Sequence, residues 1–265
     1  MDATIDISYS LQARAYVAKP KIEPPWPGVV VLHEAFGLTD DIRAHADRFA
    51  ENGFLSVAPD LFSLGPTFRC VVRAFRAMFA GKGEALDAIA GTREWLVSQD
   101  ECSGKVGVVG FCMGGGFALL CAPTGSYEAS VVNYGLVPKD ATKVLSGACP
   151  LAASYGARDR GSRGAPERLE AALEELGIEH DVKVYPDASH SFLNRHSGWH
   201  ATVDRVLGYG YEESAAEDAW ERTLDFFGRH LKSSETPGAE TPDSESPDSE
   251  APDSEAPDPG ESEGP

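Results

Sequence analysis

Between Val106 and Ala122 the sequence changes character twice in quick succession. A β-type run, Val106–Val109, gives way to the cluster Gly110-Phe111-Cys112-Met113-Gly114-Gly115-Gly116, and that cluster leads into the apolar stretch Phe117–Ala122 with helical spacing. A strand that turns into a helix with no intervening loop leaves its turning residue in strained backbone. Only small residues two places to either side leave room for such a turn, and Gly110 and Gly114 stand in those two places about Cys112. The turn presents the central side chain at the carboxyl end of a strand, with a helix N-terminus behind it that favours a thiolate. Cys112 is therefore expected to be a nucleophile. The alternative is an inert thiol in glycine-rich strand–helix packing, which is the reading for Cys121.

Around this turn the chain alternates. Eight β-type runs are expected at Thr4–Tyr9, Arg14–Ala18, Val29–His33, Leu55–Ala58, Val106–Val109, Ala129–Asn133, Cys149–Tyr155 and Val182–Tyr185. Helical spacing recurs at Asp40–Asn52, Gly83–Ser98, Met113–Ala122, Ala165–Leu176 and Ala215–Leu231. Strands that alternate with helices imply an α/β fold with a mostly parallel central sheet of about eight strands and helices on both faces. The first two runs have no helix between them and should form an antiparallel edge. In such sheets the chemistry belongs to loops at the carboxyl ends of the strands.

The alternation ends near Ser233. Residues 233–265 hold 11 acidic residues, seven prolines and no Lys or Arg, and from Thr241 they repeat as TPDSE, SPDSE, APDSE. Two regions are expected: a folded domain at 1–232 and a disordered, solvated acidic tail at 233–265. The tail carries −11 of the chain's formal −19. That sign of charge offers no footprint for nucleic acid. Five cysteines without a C-x-x-C pair point to neither a disulfide framework nor a zinc ribbon. Without a charged-then-apolar leader or a run of 18 apolar residues, a cytoplasmic protein without membrane attachment is expected, with a monomer favoured. No Walker A or GxGxxG sequence occurs, and His33-Glu34 is followed by Gly37 where a zinc motif needs a second histidine, so neither cofactor nor metal is expected.

A cysteine nucleophile needs a base and a group to orient it, which in this architecture follow in the order nucleophile, acid, histidine at later strand ends. Asp159 stands after the run Cys149–Tyr155, and His190 after Val182–Tyr185. Asp181 and Asp187 compete for the acid role, and His180, His196 and His200 for the base; a surface pair with Arg158 or Arg160 is the other reading of Asp159. The segment His33-Glu34-Ala35-Phe36-Gly37 follows the run Val29–His33 and should face the elbow. The backbone N–H groups of Ala35 and Met113 are the expected oxyanion-hole donors.

These segments together resemble the dienelactone hydrolase family of α/β-hydrolases. The likeness is carried by Val29–Phe62, Lys105–Ala122, Ser154–Asp159, Tyr185–Phe192 and Ala215–Leu231, and extends over most of residues 5–231. The resemblance implies a hydrolase that cleaves a lactone or carboxylic ester through Cys112, His190 and Asp159, with a small-molecule substrate and a thioacyl intermediate. It implies that Glu34 pairs with the thiol at rest and accepts its proton as substrate arrives; a loop carboxylate held by backbone amides is the alternative. A family arginine that grips a substrate carboxylate falls on Asn194 in this chain, beside Arg195. A second falls in the segment holding Arg69, Arg73 and Arg76, of which Arg69 is the candidate substrate-binding residue. The stretch Ser191–Glu213, with His196, Trp199, His200, Tyr209 and Tyr211, reads as a loop that lines a pocket or packs on the domain. Two other readings stand beside the lactonase: an esterase or thioesterase for a non-lactone substrate, and a non-catalytic scaffold whose acidic tail recruits a partner.

Overall fold

Hydrogen-bonded side by side, eight strands form one sheet: β1 (Asp2–Ser8), β2 (Leu11–Ala18), β3 (Trp26–Leu32), β4 (Leu55–Pro59), β5 (Cys102–Phe111), β6 (Ala129–Asn133), β7 (Leu151–Gly156) and β8 (His180–Tyr185). Their order across the sheet is β1-β2-β4-β3-β5-β6-β7-β8. β1 and β2 are antiparallel to each other, β2 is antiparallel to β4, and every later pairing is parallel. The computed structural model describes residues 1–8, 11–63 and 67–232, with the side chains of 6–8, 11 and 67–71 excepted. The acidic repeat and the expected boundary at 233 lie outside the described residues.

Continuous apolar runs dictate the middle of the sheet. Every residue of β3, β4, β6 and β7 is buried, as a parallel strand covered on both faces requires, whereas the edge strand β8 is partly exposed. Two helices, α1 (Asp40–Glu51) and α8 (Glu213–Leu231), meet through Phe49 against Trp220 and Phe227. Two others, α3 (Glu84–Val97) and α4 (Met113–Cys121), cover the opposite side with α2 (Thr67–Ala80) packed against both. Glycines let the helices approach: a Cβ on Gly28 would meet Leu96 of α3 at 2.6 Å, and one on Gly107 would meet Phe227 of α8 at 2.8 Å. The remaining helices are α5 (Ala141–Val144), α6 (Ala165–Leu176) and α7 (Gly198–Leu207). Thr39 caps α1, its hydroxyl accepting from the Ile42 N–H at 3.4 Å. Among the described residues no helix is long and apolar enough to cross a membrane.

The expected strands and the five expected helices are all present, with the first strand shifted to Asp2–Ser8. Three helices depart from the sequence reading. α5 is a single turn, and α2 carries the arginine segment. α7 occupies the middle of the stretch read as a loop, because the only buried residue it offers is Asp204. A helix without a buried apolar stripe leaves no periodic signal.

The strand order fixes where the site lies. From β3 the chain moves outward to β4, then crosses back to place β5 on the other side of β3. The loops after β3 and β5 therefore diverge from adjacent strand ends, which opens a crevice at the carboxyl edge. Leu32 pairs with Gly110 in register, so residues 33–35 and Cys112 leave the sheet side by side.

Candidate active site

Cys112 sits between β5 and α4 with φ 54° and ψ −112°. Its N–H donates to the Asn133 carbonyl at 3.0 Å, and its own carbonyl accepts from Gly116 N–H at 3.2 Å, so the residue is bonded to strand and helix at once. A Cβ at 110 would stand 1.9 Å from the Gly114 carbonyl oxygen, and one at 114 would stand 2.2 Å from the Leu32 carbonyl oxygen. No side chain fits either position. Three non-glycine residues among the described ones have positive φ, Cys112, Tyr134 and Ser191, and all three follow strand ends on this rim. Backbone strain of this kind collects at functional sites.

Asp159 and His190 reach the same rim from β7 and β8. A Cβ at Gly156 would lie 2.5 Å from the Ala188 carbonyl oxygen, so the two loops come together only over a glycine. Arg158 N–H donates to that carbonyl at 2.9 Å and locks the approach. His190 Nδ1 then donates to Asp159 Oδ2 at 2.7 Å. The other carboxylate oxygen, Oδ1, accepts from Gly161 N–H at 2.8 Å. Cys112 lies close enough to the same imidazole to act on its charge. Burial works against charge on His190, but the Asp159 hydrogen bond and the Cys112 sulfur outweigh it and push the pKa up to about 10. Burial likewise opposes charge on Asp159, and the hydrogen bond from His190 overrides it to hold the carboxyl below its usual range. The ring of His190 lies between Tyr134 and Tyr209, at 5.0 and 4.8 Å.

The loop after β3 is fixed by His33. Its Nδ1 donates to the Glu34 carbonyl at 2.7 Å, which leaves Nε2 to accept from Leu61 N–H at 3.0 Å. Burial lowers the His33 pKa, consistent with a neutral ring in that tautomer. Gly37 N–H also donates to the Glu34 carbonyl, at 3.1 Å, closing a tight turn about Ala35. Among the described residues the Ala35 N–H has no acceptor. Met113 opens α4, where first-turn amides lack an intrahelical acceptor. The two amides expected to hold an oxyanion thus flank the elbow on adjacent strand ends.

Glu34 is held by a side chain, neither of the two partners expected for it. Its carboxylate accepts from His196 Nε2, and His196 Nδ1 donates to Asp204 of α7 at 2.5 Å. Glu34 and His196 side chains are 3% and 2% exposed. Asn194 lies beside this chain, fully buried. Its Oδ1 accepts from Tyr134 hydroxyl at 2.7 Å and from His45 Nε2 at 3.2 Å. Sequence reasoning weighed His196 as a rival base and as part of a loop lining a pocket or packing on the domain, and did not single out Asp204 or His45.

The other candidates disperse. Asp181 binds Arg222 at 2.7 Å, and Asp187 makes an exposed pair with Arg158. The ring of His180 bonds the Ile178 carbonyl, and His200 packs on Trp199 and Phe36. Arg195 bonds the Tyr211 hydroxyl and covers its ring at 4.1 Å. Arg73 pairs with Glu84 at 3.0 Å, and with Arg76 it lines a surface cavity of about 410 Å³ between α2 and α3. Arg69 falls on α2, but its side chain lies outside the described residues.

The chain is similar to known proteins in both sequence and structure. The model of the dienelactone hydrolase family matches residues 13–231. A protein of Saccharolobus solfataricus named "Putative carboxymethylenebutenolidase" is 27% identical over 256 residues, covering 83% of this chain and 95% of that one. The protein usf of Aquifex pyrophilus is 29% identical over 236 residues, covering 83% and 95%. The crystal structure of a "Putative Dienelactone Hydrolase" from Klebsiella pneumoniae superposes with a TM-score of 0.71 at 25% identity, covering 86% of this chain and 98% of that one.

Proposed function

Because the chain belongs to the dienelactone hydrolase family, whose members hydrolyse esters or lactones, we propose that it cleaves a lactone or carboxylic ester through a Cys112 thioacyl intermediate. The observation that carries this reading is the hydrogen-bonded pair His190–Asp159, within electrostatic reach of Cys112 at an elbow that excludes any side chain at 110 and 114.

Charge on His190 supplies the cycle. With thiolate and imidazolium paired, sulfur attacks the acyl carbon, and the carbonyl oxygen takes up negative charge beside the Ala35 and Met113 amides. The tetrahedral adduct collapses as the ester C–O bond breaks, and the leaving oxygen takes the proton from His190. Acylation consumes the anionic sulfur that helped raise the histidine pKa, so the ring is left neutral and able to accept a proton from water. Hydroxide adds to the thioester, the C–S bond breaks, and the acid leaves as thiolate and imidazolium are restored. Asp159, with its second oxygen held by Gly161, keeps the ring in one tautomer throughout.

The test compares wild type with Cys112→Ala on an enol-lactone bearing a free carboxylate, its methyl ester and an aryl acetate. The variant is expected to lose at least about a thousandfold in kcat, and quenched wild type to carry an acyl adduct on Cys112. Wild type that turns over none of the three, or a variant equal to it, overturns the assignment.

A further inference from the structure

The catalytic cycle uses one Asp–His pair, and the molecule holds a second within the same crevice. Asp204 on α7, His196 before it and Glu34 on the loop after β3 form a buried chain in which both ring nitrogens donate to carboxylates. Both nitrogens being engaged, the imidazole has no lone pair for a metal. The groups facing it are Glu34, Asp204 and the ring of His200, whose centroid lies 6.0 Å away; beyond Asn194 come His45, Asp41 and the Tyr134 hydroxyl. Leu32 pairs with Gly110 in register, so Glu34 and Cys112 leave neighbouring strand ends at this rim.

A carboxylate at the strand end next to a thiolate has two effects. As an anion it repels the sulfur charge, and as a free base it competes with His190 for the thiol proton. A cation bound directly to it suppresses both. We propose that His196 is a positioning residue for the reaction: anchored by Asp204, it holds Glu34 as a neutralised, fixed carboxylate, so that the Cys112 proton passes to His190 alone. This rests on the cysteine-nucleophile reading above. Burial disfavours charge on His196, but the Glu34 and Asp204 hydrogen bonds prevail and raise its pKa to about 9, so the clamp is cationic at neutral pH.

The decisive measurement is the rate of Cys112 alkylation by iodoacetamide against pH, located by peptide mass, because it reads the thiolate without turnover. In His196→Gln the thiolate titration is expected to move up by about one pH unit. Ester kcat is expected to fall about tenfold, with KM changed less than about twofold. Asp204→Asn, which keeps the imidazole but loosens its anchor, should shift the same way by less, and it serves if His196→Gln does not fold. In the double variant Glu34→Gln/His196→Gln the titration should return towards wild type, because the released charge is gone. An alkylation profile of His196→Gln that superposes on wild type overturns the proposal, as does a double variant that keeps the single variant's shift. Absence of ester turnover in wild type would instead count against the hydrolase reading, with the alkylation result still deciding the role of His196.

Discussion

Asp159–His190–Cys112 and Asp204–His196–Glu34 are built from the same two parts, an aspartate and the imidazole whose Nδ1–H donates a hydrogen bond to it, and they end on different third members. In the first the ring faces a thiol, so the proton can be given away and taken back within one cycle. In the second the ring is closed between two carboxylates, so its proton has no nearby group to which transfer is favourable. The settings differ too: His190 is carried on the loop after β8 with its ring against Tyr209, whereas His196 is sealed at 2% exposure just before α7. A histidine–aspartate pair therefore does not by itself mark a general base. What the far nitrogen touches decides it.

The comparison breaks most visibly at its aspartates. Asp159→Asn is expected to lower kcat between about a hundredfold and ten-thousandfold by freeing the wrong tautomer of His190, and Asp204→Asn only about threefold, measured in one ester assay. Equal losses would make the two chains functionally alike. A smaller effect separates them by stability. The His196 pKa is raised in the folded state, so its contribution is fully present below about pH 6.5 and is lost as pH rises through about 9. Asp159 has a depressed pKa, so its contribution is present above the ordinary carboxylate range and is lost as pH falls through the folded value. Melting temperatures of wild type and of His196→Gln should thus converge in alkali, and those of wild type and Asp159→Asn in acid. The smallest effect belongs to the rejected acid. Asp187 and Arg158 are 72% and 64% exposed, so Asp187→Asn should leave kcat within about twofold and stability within about 0.5 kcal/mol by denaturant titration.

The first chain could be read in the sequence and the second could not, for physical reasons. Strain at the elbow demands glycine at fixed places, so Gly110 and Gly114, set between a β-type run and a helical stretch, point to Cys112. Asp159 and His190 follow apolar strands whose ends the alternation already locates. Glu34 meets His196 across 162 positions of sequence, and neither strand nor helix periodicity encodes that distance. Asp204 is harder still, because it is the buried residue of a helix with Trp199, Val206 and Leu207 exposed, an inversion of the amphipathic pattern. Asn194 could be located by its offset from His190, but its two hydrogen bonds come from Tyr134 and His45, on different elements of the fold.

The crossing of the chain between β4 and β5 also divides the proposed oxyanion site by inheritance. Ala35 belongs to the portion that ends with α3, and Met113 to the portion that begins with β5, joined through a turn at exposed Asp100. A polypeptide cut at that turn would yield two pieces, one holding each amide, with Cys112, Asp159 and His190 all on the second. On the proposed mechanism neither piece hydrolyses an ester alone, and recovered turnover would report that β3 and β5 had found each other again.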